Sequence, residues 1–177
     1  MSKDFRLQAV DAVDLLNDFV GDCVAGVMVL RSYQAGLKRH QNGGTALVAI
    51  HKMCISYIVL TLFKWLEFHE KYKSVIPDQH KKACKNLYKL LEQKGIRPFR
   101  HKCIGHIWDD DLKRPLFNSE IMTRLDNIID NDLDKFLNWI NDPTGNVYPN
   151  TVVSIVETLR DSLVQEHKIH ENEIIKR

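Results

Sequence analysis

The sequence predicts an all-α protein, and three observations support that prediction. Apolar residues recur at three- and four-residue spacing over long segments. β-Branched residues do not fall in alternating runs joined by hairpin turns. The residues between the periodic segments are those that commonly begin or end helices. We therefore expect a helical bundle of about five to six helices.

The first two predicted helices are long. The first spans residues 5–37, as one helix or as two, with a stripe formed by Leu15, Phe19, Cys23, Val27 and Leu30. Residues 40–44 form a turn, and Thr45 is a candidate N-cap for a second helix that runs to about Lys73. This second helix is apolar on most sides, which is typical of the centre of a bundle.

The remaining helices are delimited by capping residues. Asp78 can cap a third helix over 79–94, and Gly95 suits its C-terminal end. A fourth helix is predicted from Pro98 to about Trp108. Asn118 or Ser119 would cap a fifth, either continuous to residue 140 or interrupted near 130–132. A final helix begins at Thr151, and the polar tail from about residue 167 is expected to fray. Residues 1–177 are expected to form a single domain.

Composition favours a cytoplasmic protein. The four cysteines form no CxxC pair, and the N-terminus lacks the apolar core of a signal peptide. Residues 45–63 approach the length of a membrane span, but His51 and Lys52 interrupt them. We expect a buried core helix there and no membrane association.

Charge is divided between two neighbouring parts of the chain. Residues 80–102 carry eight Lys or Arg and one acid, a net of +7, whereas residues 109–142 carry nine acids and four bases, a net of −5. The formal total of +2 conceals this division. A solvated basic face and a surface for nucleic-acid phosphate are both consistent with the pattern.

The stretch RHKCIGH, residues 100–106, combines the groups needed for metal-free RNA cleavage. Arginine is a permanent forked cation suited to phosphate, and histidine can transfer a proton near pH 7. A base that removes the ribose 2′-OH proton and a cation that stabilises the attacked phosphate would suffice. Arg100 and His106 are therefore the candidate catalytic residues.

This stretch resembles the hallmark of the HEPN superfamily (higher eukaryotes and prokaryotes nucleotide-binding), in which an arginine followed by a polar residue precedes a histidine at a helix start late in a small all-α bundle. The resemblance implies a HEPN-like fold and a metal-independent endoribonuclease of toxin–antitoxin or abortive-infection type. By the same resemblance, two subunits pair their Arg–His sets in one cleft, Arg100 binds phosphate, His106 acts as acid or base, and His101 orients the site. Where one branch of the family carries a tyrosine that can be modified with AMP, this sequence has Trp108, which makes that branch a poorer match.

The expected partners follow from the same site. RNA is the expected substrate, with Arg97 and Lys102 as flanking cations, and the chain is expected to form a homodimer that an antitoxin or another defence protein could bind. Asp109 lies three residues after His106 and could hold its imidazole. We expect no metal and no other cofactor, because neither HxxxH nor HExxH spacing is present.

Alternatives remain open from sequence. Arg100 and His106 are six residues apart, about 240° around an ideal helix, so they converge only if the helix is distorted or the site is shared between subunits.

A HEPN-like bundle could bind nucleotide or protein without catalysis. An unrelated structural bundle would instead have Arg100 salt-bridged to the following aspartates. Cys103 as a nucleophile is a weaker hypothesis, because no oxyanion site is visible.

Overall fold

The protein is described by a computed structural model that covers residues 3–39, 45–104, 108, 109 and 111–174. Within these residues the chain forms eight α-helices, one π-helical segment and two strands of two residues, which confirms the all-α class. The helices are α1 (Lys3–Arg39), α2 (Thr45–Tyr72), α3 (Asp78–Gln93), α4 (Ile96–Phe99), α5 (Asn118–Ile128), α6 (Leu133–Ile140), α7 (Val152–His167) and α8 (Glu171–Ile174). The π-helical segment is Arg100–Ile104, and the strands are β1 (Trp108–Asp109) and β2 (Arg114–Pro115). The helix number exceeds the expected five to six because α4 and α8 are single turns and the predicted fifth helix is divided.

Helix α1 is one uninterrupted helix, so the alternative of two helices is wrong. Four members of its predicted stripe are buried, but Leu15 is 45% exposed and Leu16 takes its place in the core. Steps of four residues advance 400°, so a stripe drawn at constant i+4 spacing rotates by about 40° per step. That drift moves Leu15 out of the buried face.

Helices α1 and α2 pack as an antiparallel pair. Phe19 lies against Trp65 with ring centroids 5.9 Å apart, and Asp22 accepts hydrogen bonds from the Tyr57 hydroxyl and the Lys64 ammonium, each at 2.6 Å. Gly26 allows the two backbones to approach, because a Cβ there would stand 2.9 Å from Cγ1 of Ile58. The pair is the foundation of the bundle.

Helix α2 is central, as predicted. Trp65 is fully buried and stacks on Phe68 at 5.4 Å, and the same face buries Ile55, Ile58, Leu62 and Leu66. Residues 49–72 are long and apolar enough to cross a membrane by length and composition alone, a test that the core helix of a soluble protein also passes.

Helix α7 and the tail close the other side of α1. The final helix, predicted to begin at Thr151, begins at Val152, and Thr151 caps it by accepting a hydrogen bond from the Ser154 N–H at 3.1 Å. The tail that is expected to fray includes the short helix α8, and its described residues run to Ile174. Ile169 is buried, and Arg6 of α1 forms an ion pair with Glu173 at 2.8 Å. One apolar anchor and one ion pair therefore hold the tail on α1.

The caps of α3 and α5 differ from the predictions. Asp78 and Asn118 are the first helical residues rather than the caps, and Pro77 and Phe117 precede them in extended conformation. The predicted interruption of the fifth helix is present. Asp130 and Asn131 adopt positive φ angles of 54° and 56°, a conformation that Asn and Asp tolerate better than most residues. Asp132 then accepts from the Lys135 N–H at 2.9 Å and starts α6.

The predicted helix from Pro98 to Trp108 is wrong at its C-terminal end. Trp108 and Asp109 form β1 and pair antiparallel with β2, Trp108 with Pro115 and Asp109 with Arg114. The side chain of Arg114 makes a two-pronged ion pair with Glu120, at 2.7 and 2.8 Å, and Glu120 also accepts from the Phe117 N–H. The hairpin is therefore tied to the first turn of α5.

The glycines of α1 give a first test. Gly21 is exposed and has no heavy atom within 4 Å of an added Cβ, so Gly21→Ala should raise the free energy of unfolding by about 1 kcal/mol and Tm by about 2–4 °C. Gly26→Ala should lower Tm, because its Cβ meets the buried Ile58. Thermal melts of the two variants check this, and a stabilising Gly26→Ala would contradict the close approach of the helices.

Acid titration gives a second test. The Arg114 guanidinium and the Phe117 N–H lower the pKa of Glu120 to about 2, below the usual value near 4.3. Stability from a carboxylate with a lowered pKa is present above the unfolded value and is lost as the pH falls through the folded one. Glu120→Gln should therefore lower Tm at pH 7, and the difference from wild type should shrink as the pH falls from about 4.5 to 2. The exposed Glu67→Gln is the control and should show no such convergence.

Candidate functional site

The candidate site begins where α3 ends. Gly95 adopts φ 73° and lets the chain leave α3, after which buried Ile96 and Phe99 anchor α4 against the core. The helix then widens into the π-helical segment Arg100–Ile104. Such π-helical turns are rare and occur often at functional sites. Gly105 and His106 lie outside the described residues, so the structure does not report on the predicted catalytic histidine.

Arg100 and His101 form a pair on the aromatic ring of Phe63. The Arg100 guanidinium carbon stands 5.2 Å from the ring centroid, and the His101 ring meets Phe63 edge-on at 5.8 Å. Arg100 Nη1 lies 3.2 Å from His101 Nδ1. Because a guanidinium can only donate, this geometry makes Nδ1 the acceptor and leaves the proton of the neutral ring on Nε2.

Arg100 has no carboxylate within ion-pair distance among the described residues. The aspartates that the structural-bundle hypothesis would pair with it bind other cations instead: Asp109 binds Arg124 and Asp111 binds Lys102. Arg100 is half-buried and His101 is exposed. The pair therefore presents positive charge and an imidazole to the surface.

Arg97, a predicted RNA contact, is neutralised. Its Nε donates to Glu92 at 2.8 Å and its Nη2 donates to Glu70 at 2.6 Å. Glu92 and Glu70 raise the pKa of Arg97, and the Tyr88 hydroxyl and Arg97 lower the pKa of Glu70. Arg97 thus ties α4 to α2 and α3, and it would have to leave two carboxylates to contact phosphate.

Lys102 and Asp109 also have structural partners. Lys102 forms an ion pair with Asp111, which raises the pKa of the ammonium. Asp109 is 1% exposed and accepts from the N–H groups of Leu112 and Asp111 at 3.1 and 3.0 Å. Its other oxygen accepts from Arg124 at 3.2 Å. The Leu112 N–H contributes most to the lowered pKa of Asp109, followed by Arg124. Asp109 organises the hairpin, whereas sequence assigned it to supporting His106.

Arg124 was not identified from the sequence. It lies on α5 and joins Asp109 to Cys103, whose Sγ is 3.7 Å from Nη1. No motif signals it, because its partners are 15 and 21 positions away and meet it only in the folded chain. Burial raises the pKa of Cys103, so the thiol lacks the lowered pKa of a nucleophile.

A groove outside the predicted site contains a second set of cations. His69 and Lys73 at the end of α2 face Lys81 and Lys85 of α3 across a cavity of about 230 Å³ whose floor includes Ile76. Among the described residues, no three His, Cys, Asp or Glu side chains cluster as metal ligands would. Because Lys73, Lys81 and Lys85 line it, the groove is positively charged.

Comparisons with known proteins give one structural neighbour. No protein-family model matches the chain, and no curated protein matches it in sequence. The chain is similar to a solved structure described as the integron cassette protein Vpc_cass2 from the mobile metagenome of V. paracholerae, with a TM-score of 0.75 and 26% identity over 92% of this chain and 98% of that chain. The similarity therefore extends over nearly the whole length of both chains.

Proposed function

We propose that the protein is a metal-independent endoribonuclease of a defence or toxin–antitoxin system, acting in the cytoplasm as a homodimer. The observation that carries this proposal is the Arg100–His101 pair, a cation and an imidazole side by side with no described carboxylate to neutralise the guanidinium. The mobile-metagenome setting of the structural neighbour is compatible with a defence role.

In the proposed reaction, a ribose 2′-OH attacks the adjacent phosphorus, forming a 2′,3′-cyclic phosphate and releasing the 5′-oxygen of the next nucleotide. Arg100 stabilises the charge that develops on the phosphoryl oxygens. Phe63 lies beneath the guanidinium and limits the directions it can take. The resemblance to HEPN proteins assigns proton transfer to His106, and His101, held through Nδ1, presents its Nε2–H towards solvent and phosphate.

A homodimer is supported by apolar side chains that α1 and α2 leave exposed. Val29 is 55% exposed, Met53 68% and Met28 59%. Exposed apolar surface of this kind is common where a partner binds. The second candidate function, a non-catalytic nucleotide- or protein-binding module, is favoured by one observation, the ion pairs that already occupy Arg97 and Lys102.

The catalytic proposal predicts RNA cleavage in EDTA with 2′,3′-cyclic phosphate ends. Arg100→Ala should reduce the rate roughly 10²–10³-fold and His106→Ala roughly 10²–10⁴-fold, because they remove charge stabilisation and proton transfer respectively. Arg160→Ala, which removes a cation from α7, is the matched control and should cleave normally. Circular dichroism melts confirm that each variant folds. Equal cleavage by all variants, or none by wild type, would remove the assignment.

The dimer predicts a solution mass of twice 20.6 kDa by sedimentation. Met53→Glu places a charge on the exposed apolar surface and should shift the protein towards monomer, with a parallel loss of cleavage if the site is shared. Leu90→Glu, on α3, is the control for the added charge and should stay dimeric. A wild-type monomer that cleaves RNA would refute the shared site.

A further inference from the structure

We propose that the groove lined by His69, Lys73, Lys81 and Lys85 binds a backbone phosphate of the RNA strand, at a distance from the Arg100–His101 pair. This inference rests on the proposed function, because it names how the same substrate is held. The ligand chemistry is a phosphate diester within a single strand.

Four nitrogen-bearing side chains converge on the groove. His69 lies in the last turn of α2 and Lys73 directly follows that helix, Lys81 and Lys85 are one turn apart on α3, and all four line one cavity of about 230 Å³. Lys81 and Lys85 are like charges four residues apart on one helix and therefore repel each other, which favours an anion between them. The three lysines are exposed, so their ammonium groups can reach a ligand at the surface.

One carboxylate reaches the groove: Asp78, itself 92% exposed, forms an ion pair with Lys81 at 2.6 Å. Lys73 and Lys85 have no carboxylate partner among the described residues. Glu70 is occupied by Arg97 and the Tyr88 hydroxyl. Burial and the charges of Lys73 and Lys85 lower the pKa of His69, against the opposing effect of Glu70. A neutral imidazole beside free ammonium groups can donate a hydrogen bond to a phosphoryl oxygen.

A path of side-chain contacts joins the Arg100–His101 pair to the groove. Arg97 contacts both Phe63 and Glu70, and Tyr88 contacts both Glu70 and the His69 ring, whose centroid is 4.7 Å away. Ten residues of helix separate Phe63 from Lys73, a rise of roughly 15 Å. A stacked strand advances about 3.4 Å per nucleotide, so about four nucleotides would join the two positions.

The test measures binding without cleavage. A fluorescein-labelled 12-nucleotide RNA with 2′-O-methyl groups has no nucleophile, so its anisotropy reports affinity alone. Lys73→Gln/Lys85→Gln should weaken binding and reduce the slope of log affinity against log salt by about 1.4, at about 0.7 per lost phosphate contact on a single strand. Lys82→Gln/Lys89→Gln is the matched control: it removes the same number of charges from exposed positions of α3, about 60–80° around from the groove, with the affinity expected to fall less and the slope to stay near wild type.

The outcomes separate the two proposals. Equal losses in the double variant and the control, an unchanged slope, or no RNA binding by wild type would overturn the phosphate groove. AMP binding as tightly as the 12-mer would also overturn it, because the ligand would then be a free nucleotide. Binding that behaves as expected without any cleavage of unmodified RNA would leave the groove in place and remove the nuclease. Cleavage of unmodified RNA by the wild type, together with unchanged RNA binding by Lys73→Gln/Lys85→Gln, would keep the nuclease and remove the phosphate groove.

Discussion

The antiparallel packing of α1 on α2 is the constraint on which the other features depend. Gly26 brings the two backbones together at Ile58, and Trp65 fills the space beside Phe19. Burying one face of α2 in this way turns another face towards α3 and α4. That second face carries Phe63, the ring beneath Arg100, and it continues to His69 and Lys73. The core of the bundle thus determines where both cationic features can form.

Ion pairing sorts the basic residues of the chain into two groups. Arg97, Lys94 and Lys102 are bound by Glu70 and Glu92, by Asp130 and by Asp111, and they join helices and loops to one another. Arg100 and the lysines Lys73 and Lys85 have no carboxylate partner among the described residues. Cations of the first group join parts of the fold, whereas those of the second carry a charge that no described carboxylate neutralises. The net +7 of residues 80–102 therefore overstates the positive charge that a polyanion would meet.

At the end of the predicted fourth helix, the chain forms a β-hairpin that is held by a buried carboxylate, that of Asp109. Asp109 follows directly after the predicted fourth helix, and its burial requires hydrogen bonds to both oxygens. The N–H groups of Asp111 and Leu112 and the Arg124 guanidinium supply them, which bends the chain into β1 and β2. The two described aspartates of this stretch thus have different environments, since Asp109 is buried and Asp111 is an exposed partner of Lys102.

The sequence by itself determined the all-α class, the central position of α2, the interruption near residues 130–132 and the approximate start of the last long helix, because helical periodicity and helix breaks are local properties. It also identified Arg100 and His101 as candidate residues of a functional site. Only the tertiary structure decided that Phe63 lies under them, that Arg97 is neutralised by Glu70, and that Arg124 reaches Asp109. It also brought His69 and Lys73 opposite Lys81 and Lys85. These contacts join residues on different helices, and their distances follow from how whole helices pack, which no local pattern specifies.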